Sequence, residues 1–373
     1  TDATVATRLE AAGAVLLGKL ATTEGAMVGY HPTFQVPRNP WGEDRWPGVS
    51  SGGSGAATAA GLCFASLGTD TGGSIRYPSA TNGLVGLKPT WGRVSRHNVM
   101  DLAPTLDHVG PMTRSVRDVA RILNVIAGYD PNDDTTLVTA PDDYEAELDR
   151  GVDGLRIGWD EDYATTNVEA YVVTALRDAL KQLSDAGAEV IDVHVPSITE
   201  DETAAWSVIA GAEAAAVHQA TYPDQQHYYG AYFREFLASG HSTSGIDVAK
   251  AVIARKRAGQ RMASVFQNID CLLCPTLAGE SFQYRPEAAY EGFNRAEGTI
   301  AGVPPAFFAR NGRFITIWDY NGYPTLSVPC GFSPDRMPLS LQLVAKPLGE
   351  AILCRAGYTY ESANDFLEQH PDL

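Results

Sequence analysis

The spacing of apolar and polar positions along the chain predicts helices that alternate with strands. Apolar residues at helical spacing run through "RSVRDVARILNVIAG" and stop at Gly128. Further on, "GLRIGWD" predicts a strand, "VEAYVVTALRDALKQLSDAG" a helix and "AEVIDVHV" a second strand. Two strands joined by a helix at this spacing predict a parallel βαβ unit.

The two ends of the chain add further elements. "TDATVATRLEAAG" predicts a helix capped near Thr1 or Asp2, followed by a short strand from Ala14. "PTLSVPCGF" and "LSLQLVAKP" predict two strands, with a helix from Gly349 to about Ala363. Residues 200–310 alternate predicted helices with irregular stretches, and we expect this variable region to cover one side of the sheet. The sequence thus predicts an α/β fold with a central, mostly parallel mixed β-sheet flanked by helices, and one domain over residues 1–373.

Composition narrows the choice of partners. The chain has 373 residues, 44% hydrophobic and 20% charged, which is typical of a soluble globular protein. The net charge of −17 repels phosphate backbones and anionic lipid, so we expect neither nucleic acid nor membrane as a partner. We find no apolar run of membrane-spanning length and no signal peptide, and expect a cytoplasmic protein.

The five cysteines are an odd number in a long chain, which indicates reduced thiols. Cys271 and Cys274 form a CxxC spacing inside "IDCLLCPT", an apolar run that predicts a buried strand. Residues three apart on a strand point to opposite faces, so we expect no metal site there.

Two glycine-serine turns carry the candidate chemistry: "PGVSSGGSGAATAAG" and "TGGSIRYPS". A serine hydroxyl becomes a nucleophile when a base takes its proton and N–H donors hold the oxyanion that it creates. The glycines before Ser74 allow successive N–H groups to converge on one point. For Ser54, the pattern predicts a helix cap. Taken singly, each turn is better explained as a loop packed against a helix start than as a catalytic site.

The run from Gly48 to Ser79 resembles the amidase signature family across its whole motif, "GVSSGGSGAATA" followed by "SLGTDTGGSIRYPS". The resemblance continues in "GLVGLKPTWGRVS" and in the two final strands, and the part that does not align is the region of about 200–310. It implies an amidase signature fold and an amidase that hydrolyses a C–N bond other than a peptide bond, in a linear amide. It also implies a Ser–cis-Ser–Lys triad, an acyl-enzyme, and no metal or other cofactor.

The resemblance assigns roles to individual residues. Ser74 matches the nucleophile, and Ser50 matches the bridging serine that follows a cis peptide bond. Backbone N–H groups of the turn match the oxyanion hole, Ser51 matches a supporting serine, and an ion pair is expected to hold the loop in shape. The oxyanion-hole residues are Thr71, Gly72 and Gly73 together with Ser74, and the ion pair is Asp70 with Arg76.

The family lysine has no counterpart in this chain, because the matching position would precede Thr1. None of the six lysines is followed by Asp, as the family motif requires. We therefore expect the catalytic lysine to come from outside this chain, on an N-terminal segment of the same protein that residues 1–373 lack. Two alternatives stay open: a shortened protein without a base, and a substitute residue. The six are Lys19, Lys88, Lys181, Lys250, Lys256 and Lys346.

Rival hypotheses differ in their class of function. Gly48 to Gly52 fits G-x-S-x-G, but the nucleophile elbow of α/β-hydrolases needs a preceding strand, and "NPWGEDRWP" predicts none. No Lys-Ser or Lys-Thr follows the glycines, so a P-loop is excluded. A catalytically dead binding or scaffold subunit of the same fold, and a glutamyl-tRNA amidotransferase A-type subunit, remain alternatives.

The expected partner is a small-molecule amide substrate, and a homodimer is left open. The aromatic stretches "QQHYYGAYFREF" and "FQYRPEAAYEGF" fit an apolar pocket wall as well as ordinary helix packing. Aryl or aliphatic amides, carbamates and urea-like compounds all remain open as substrates.

Overall fold

One large β-sheet forms the centre of the computed structural model, which describes residues 1–372. Ten strands are present in the described residues: β1 Ala65–Asp70, β2 Val85–Lys88, β3 His108–Thr113, β4 Arg156–Trp159, β5 Glu189–Asp192, β6 Cys271–Pro275, β7 Phe293–Asn294, β8 Thr299–Ile300, β9 Thr325–Phe332 and β10 Pro338–Ala345. Eight of them make the central sheet in the order β1-β3-β2-β9-β10-β6-β4-β5, and β7 and β8 pair separately.

The sheet is mixed, as expected. Strand β4 pairs in parallel with β5 and with β6, which confirms the βαβ unit. The other five pairings are antiparallel. Parallel pairing is therefore less extensive than in the expected mostly parallel sheet, and it is confined to the β6-β4-β5 edge. The short turn between β9 and β10 gives a physical reason, because only antiparallel neighbours can be joined so directly.

Helices flank the sheet on both faces, which confirms the α/β class. The helices are α1 Thr4–Ala11, α2 Gly52–Ala59, α3 Arg76–Thr81, α4 Val116–Ile126, α5 Glu161–Thr165, α6 Ala170–Asp185, α7 Glu200–Val217, α8 Ala231–Ser242, α9 Gly245–Val265, α10 Pro305–Tyr320 and α11 Glu350–Ser362. The helices predicted from periodicity over residues 114–127, 168–187 and 349–363 thus appear as α4, α6 and α11.

Each face of the sheet has its own apolar cluster. Helices α1, α4, α6 and α11 pack on one face, mostly through Leu, Val, Ile and Ala; we call it the aliphatic face. Helices α3, α7, α8, α9 and α10 pack on the other, with ten buried aromatic residues in the cluster; we call it the aromatic face. Strand β6 contributes Cys271 to the aliphatic face and Cys274 to the aromatic face, which confirms their predicted separation.

The beginning of the chain departs from the prediction. Helix α1 starts at Thr4 after Ala3, and neither Thr1 nor Asp2 caps it. The strand predicted from Ala14 is absent: residues 14–20 are irregular, and Val15 and Leu17 are 83% and 74% exposed. The apolar pattern is present there, but no other described strand pairs with it, and a strand needs a partner for its backbone groups.

Within residues 1–372, no helix is both long and apolar enough to cross a membrane.

Candidate active site

Ser50 lies in the loop before α2, and Ser74 lies in the turn between β1 and α3. Both side chains are buried, with exposed fractions of 0% for Ser50 and 9% for Ser74. The Val49–Ser50 peptide bond is cis. The Ser50 carbonyl oxygen accepts hydrogen bonds from the Thr23 N–H (3.2 Å) and the Thr22 hydroxyl (3.0 Å). The Ser50 hydroxyl itself has no hydrogen-bond partner among the described residues.

Two further serines fasten α2 to β1, the strand that leads into the Ser74 turn. Ser51 Oγ accepts from the Thr69 N–H at 3.2 Å, and Ser54 Oγ donates to the Leu67 carbonyl at 2.8 Å. Ser51 stands at the N-cap position of α2, and Ser54 lies inside the helix. The prediction that Ser54 caps the helix is therefore wrong. Gly52 and Gly53 already belong to α2, so the N-cap position falls on Ser51.

Asp70 and Arg76 form a fully buried ion pair around the turn. Asp70 Oδ2 accepts from Arg76 Nε at 2.9 Å, and Oδ1 accepts from Arg76 Nη2 at 2.9 Å. The same carboxylate accepts the backbone N–H groups of Gly73 (2.5 Å) and Ile75 (3.1 Å). Burial acts to raise the pKa of Asp70, but the Arg76 guanidinium and its hydrogen bonds outweigh burial and hold that pKa well below its usual range. An ionised Asp70 thus fixes both ends of the turn.

Of the backbone N–H groups expected to form the oxyanion hole, one is already hydrogen-bonded within the turn and the others have no acceptor. The Gly73 N–H donates to Asp70 and is not available. The N–H groups of Gly72 and Ser74 have no hydrogen-bond acceptor among residues 1–372. Thr71 is held from two sides, since its hydroxyl donates to Asp107 Oδ1 at 2.5 Å and its carbonyl accepts from Trp206 Nε1 at 2.8 Å. The Thr71 N–H likewise has no acceptor among the described residues, so the turn leaves the N–H groups of Thr71, Gly72 and Ser74 open.

Lys88 is the single buried lysine of the described chain. Its Nζ donates to the carbonyls of Tyr323 (2.7 Å) and Pro89 (3.2 Å) and lies 3.2 Å from His108 Nε2. Burial lowers the pKa of Lys88 to about 8. None of its hydrogen bonds reaches Ser50 or Ser74. These contacts favour the structural role expected for Lys88.

Sequence patterns missed three residues of this region: Asp107, Trp206 and Asp319. Asp319 Oδ2 accepts from Arg76 Nη2 at 2.7 Å and is fully buried, so the Arg76 guanidinium lies between two carboxylates. Burial, with Asp70 close by, raises the pKa of Asp319, although Arg76 opposes the shift. The one available signal for Asp319 was a charged residue in the apolar run "FITIWDY", and Asp107 and Trp206 gave none.

Aromatic side chains pack around the start of α3 on the aromatic face. The Tyr77 ring lies so close to Gly73 that a Cβ there would come within 2.4 Å of it. Tyr77 in turn contacts Trp46, Phe307 and Phe308 at centroid distances of 5.5 to 6.4 Å. Of the two aromatic stretches noted in the sequence, "FQYRPEAAYEGF" joins this group through Phe282, which stacks on Trp46 at 5.1 Å. In the other, Phe233 is a core residue.

The described residues contain no group of three or more His, Cys, Asp or Glu side chains placed to hold a metal ion. A buried serine beside free backbone N–H groups is the arrangement used in acyl transfer to a serine.

Comparison with known proteins agrees with this class of site. The sequence model of the family Amidase matches residues 1–354. The chain belongs to the amidase family, whose members cleave amide C–N bonds through a serine acyl-enzyme.

Three relatives show how far the similarity extends. AmiD of Mycobacterium tuberculosis (strain ATCC 25618 / H37Rv), whose name gives it as an amidase, is 38% identical over 373 residues, covering 100% of this chain and 75% of AmiD. The A-type subunit of the glutamyl-tRNA(Gln) amidotransferase of Synechococcus sp. (strain WH7803) is 36% identical over 400 residues, covering 100% of this chain and 79% of that protein. The solved structure of 6-aminohexanoate cyclic dimer hydrolase superposes with a TM-score of 0.85 at 28% identity, covering 99% of this chain and 79% of the hydrolase.

Proposed function

We propose that the protein hydrolyses small linear carboxamides through an acyl-enzyme formed on Ser74. The observation that carries the proposal is the turn around Ser74. There the N–H groups of Gly72 and Ser74 are free, while the buried Asp70–Arg76 pair holds the neighbouring backbone. Preorganised donors of this kind stabilise the oxyanion at little reorganisation cost.

In the proposed reaction, Ser74 Oγ attacks the amide carbonyl carbon while its proton passes to Ser50 Oγ, which gives its own proton to the neutral amine of the lysine base that the family pattern requires. The carbonyl π electrons move onto oxygen, and the resulting oxyanion accepts hydrogen bonds from the Gly72 and Ser74 N–H groups. The C–N bond then breaks, a proton returns through Ser50 to the nitrogen, and ammonia or an amine leaves. Water adds to the acyl ester, which releases a carboxylic acid and restores Ser74.

Ser50 fits the relay role because its hydroxyl is buried and unpartnered. The family pattern pairs this serine with a lysine base, whose pKa must be low enough for the neutral amine to accept a proton. No lysine Nζ in the described residues is hydrogen-bonded to Ser50 or Ser74, so the proposal assigns the base to none of the six lysines.

The substrate class follows from the aromatic group near the turn. Phe282, Phe307 and Phe308 are partly exposed and pack against the buried rings of Trp46 and Tyr77, so they offer apolar surface near the turn to an acyl group. This favours aryl and medium-chain aliphatic amides over urea-like compounds. The structural similarity to a hydrolase named for a 6-aminohexanoate cyclic dimer supports a substrate with an aliphatic chain.

The direct test compares Ser74→Ala with Ser54→Ala. Ser54 is a buried serine of the same region whose hydroxyl donates to Leu67, away from the turn, which makes it a matched control. Both variants and the parent are incubated with a fluorophosphonate probe, 4-nitroacetanilide and hexanamide. We expect Ser74→Ala to lose at least about 10³-fold in turnover, because removing a nucleophile eliminates the covalent route. Labelling should disappear as well, and Ser54→Ala should behave like the parent.

Three results would contradict the proposal. Unchanged hydrolysis in Ser74→Ala would remove Ser74 as the nucleophile. Labelling mapped to Ser50 in place of Ser74 would favour the G-x-S-x-G hypothesis. A parent protein that binds hexanamide without labelling or turnover would favour a binding or scaffold subunit.

A second candidate, an amidotransferase A-type subunit that releases ammonia from glutamine, is favoured by the 36% identity to the Synechococcus protein. The net charge of −17 speaks against tRNA as a direct partner. Glutamine turnover distinguishes the two: efficient ammonia release from L-glutamine, with hexanamide left intact, would support the amidotransferase.

A further inference from the structure

The peptide unit between Thr71 and Gly72 is held by a residue from outside the turn. The Thr71 carbonyl accepts a hydrogen bond from Trp206 Nε1 at 2.8 Å. Trp206 lies on α7, far along the chain from the two glycine-serine motifs. No other hydrogen-bond donor to this carbonyl is found in residues 1–372.

A peptide unit is planar and trans, so its C=O and N–H bonds point in opposite directions. A donor that fixes the Thr71 carbonyl therefore also fixes the direction of the Gly72 N–H. That N–H is one of the backbone donors that the turn leaves free. The indole thus controls an oxyanion donor without touching the reacting atoms.

The indole also lies against the backbone of the turn. A Cβ added at Gly72 would come within 2.9 Å of Trp206 Cζ2 and 3.0 Å of Nε1. Glycine is required at this position so that the ring can approach closely enough for the 2.8 Å hydrogen bond. Ring contact and hydrogen bond together leave the Thr71–Gly72 unit little room to rotate.

Helix α7 is itself firmly anchored, which makes Trp206 a rigid support. Glu202, one turn before Trp206, receives two hydrogen bonds of 2.6 Å from Arg261 of α9, and its carbonyl accepts the Tyr320 hydroxyl of α10 at 2.5 Å. Further along α7, Glu213 accepts the Thr105 hydroxyl at 2.6 Å. Thr105 belongs to the loop that also carries Asp107, the partner of the Thr71 hydroxyl.

We propose that Trp206 is a positioning residue that aims the Gly72 N–H into the oxyanion hole, so that the variable helical region completes the catalytic turn. The inference rests on the proposed function, since it needs Ser74 as the nucleophile. It goes beyond that function because it assigns a role to a residue of α7. In this role Trp206 is needed to bind the tetrahedral intermediate, whereas planar amides bind equally well without it.

The test separates these two kinds of binding. Phenylboronic acid forms a tetrahedral adduct with an active-site serine, whereas benzamide binds as a planar ground-state analogue. Trp206→Phe keeps an aromatic ring and removes the N–H donor. Loss of an oxyanion donor costs about 10²–10³-fold in kcat, and a misdirected donor should cost about 10–100-fold. We expect phenylboronic acid affinity and the kcat for 4-nitroacetanilide to fall by that factor, with KM and benzamide affinity almost unchanged.

Trp159→Phe is the matched control, because the Trp159 indole N–H bonds to Glu161 at 2.8 Å on a different part of the sheet. It should leave both ligands and turnover unchanged. If Trp206→Phe folds poorly, replacement of Trp206 by benzothienylalanine, an indole isostere with sulfur in place of the N–H, gives the same measurement with the ring volume preserved.

Unchanged phenylboronic acid affinity in these Trp206 replacements, or a parallel loss of benzamide affinity, would overturn the inference. Ser74→Ala separates this failure from failure of the proposed function. If Ser74→Ala binds phenylboronic acid as the parent does, the nucleophile assignment is wrong. If Ser74→Ala loses the adduct and Trp206→Phe does not, only the role of Trp206 is wrong.

Discussion

The two faces of the sheet bury charged groups in different ways. On the aromatic face, Asp70, Arg76 and Asp319 are buried against one another beneath the Ser74 turn. On the side of the aliphatic face, buried carboxylates bind backbone: Glu361 accepts the Val116 N–H at the start of α4, and Glu350 accepts the Thr90 N–H. Glu361 and Glu350 bind backbone N–H groups and secure a helix start and a loop, whereas Asp70 binds backbone N–H groups and the Arg76 guanidinium together and so holds one turn. The candidate site therefore lies on the aromatic face, and we expect substitutions on the aliphatic face to change stability more than activity.

The largest expected effect comes from breaking the ion pair. Asp70→Asn leaves Arg76 with Asp319 as its one ionic partner and weakens the hold on Gly73. Removing one member of a buried pair costs about 3–5 kcal/mol, so urea unfolding should show a loss of that size, and turnover should be abolished. The exposed pair Lys181–Asp185 provides the comparison, and Asp185→Asn should cost less than about 1 kcal/mol. Similar losses for both variants would contradict the special status of the turn.

The second prediction concerns the aliphatic face alone. Leu176 of α6 is fully buried there, so Leu176→Ala should lower the free energy of unfolding by about 2–5 kcal/mol through lost burial and a cavity. Because α6 carries no residue of the site, kcat per folded molecule should stay at the parental value. A fall in kcat measured well below the unfolding temperature would show that the two faces are not separable.

The third prediction uses pH. Burial raises the pKa of Asp107 from 3.8 to about 6, so the folded state favours the protonated acid. Its contribution to stability is complete below pH 3.8 and is lost as the pH rises through about 6, a change of about 2–3 kcal/mol. In urea titrations from pH 4 to 7, the stability of Asp107→Asn relative to the parent should therefore rise with pH.

Glu361 gives the matching experiment on the other face, since burial raises its pKa from 4.5 to about 7. Glu361→Gln should likewise gain stability relative to the parent between pH 4.5 and 7, with no change in kcat. Asp107→Asn should change kcat too, because Asp107 holds the Thr71 hydroxyl. A flat stability difference in either variant would mean that the carboxyl is not perturbed.

The smallest effect is expected at helix caps. Ser115 caps α4 on the aliphatic face, and Thr199 caps α7 on the aromatic face with a reciprocal bond from Glu202. Ser115→Ala and Thr199→Ala should each cost about 1 kcal/mol in urea unfolding, because each leaves a backbone N–H at a helix start without its acceptor. A much larger loss of unfolding free energy in Thr199→Ala would show that α7 is stabilised more by its cap than by the hydrogen bonds from Arg261 and Tyr320.

The sequence predicted groupings of residues that are close together in the chain, and it did not predict contacts between residues that are far apart. The serines, glycines, Asp70 and Arg76 stand in one continuous motif, so their grouping is visible from the order of residues alone. Trp206 meets Thr71 across 135 positions and Asp319 meets Arg76 across 243, and no spacing rule spans such distances. The false strand at Ala14 had the same origin, because periodicity records local pattern and cannot tell whether a pairing strand exists. The catalytic roles of the serines stay predictions until the variants are measured.

The hydrogen bond from Trp206 has a consequence for how such enzymes diverge. Residues 200–310 lie outside the glycine-serine motifs, and a region of that kind would be expected to affect substrate preference more than the chemistry. Here Trp206, a side chain of that region, is hydrogen-bonded to the backbone of the Ser74 turn. Exchanging residues 200–310 for those of another family member would therefore also change a residue that we propose positions the oxyanion hole. Chimeras that transplant this region should recover turnover only when the incoming segment brings its own donor to the Thr71 carbonyl.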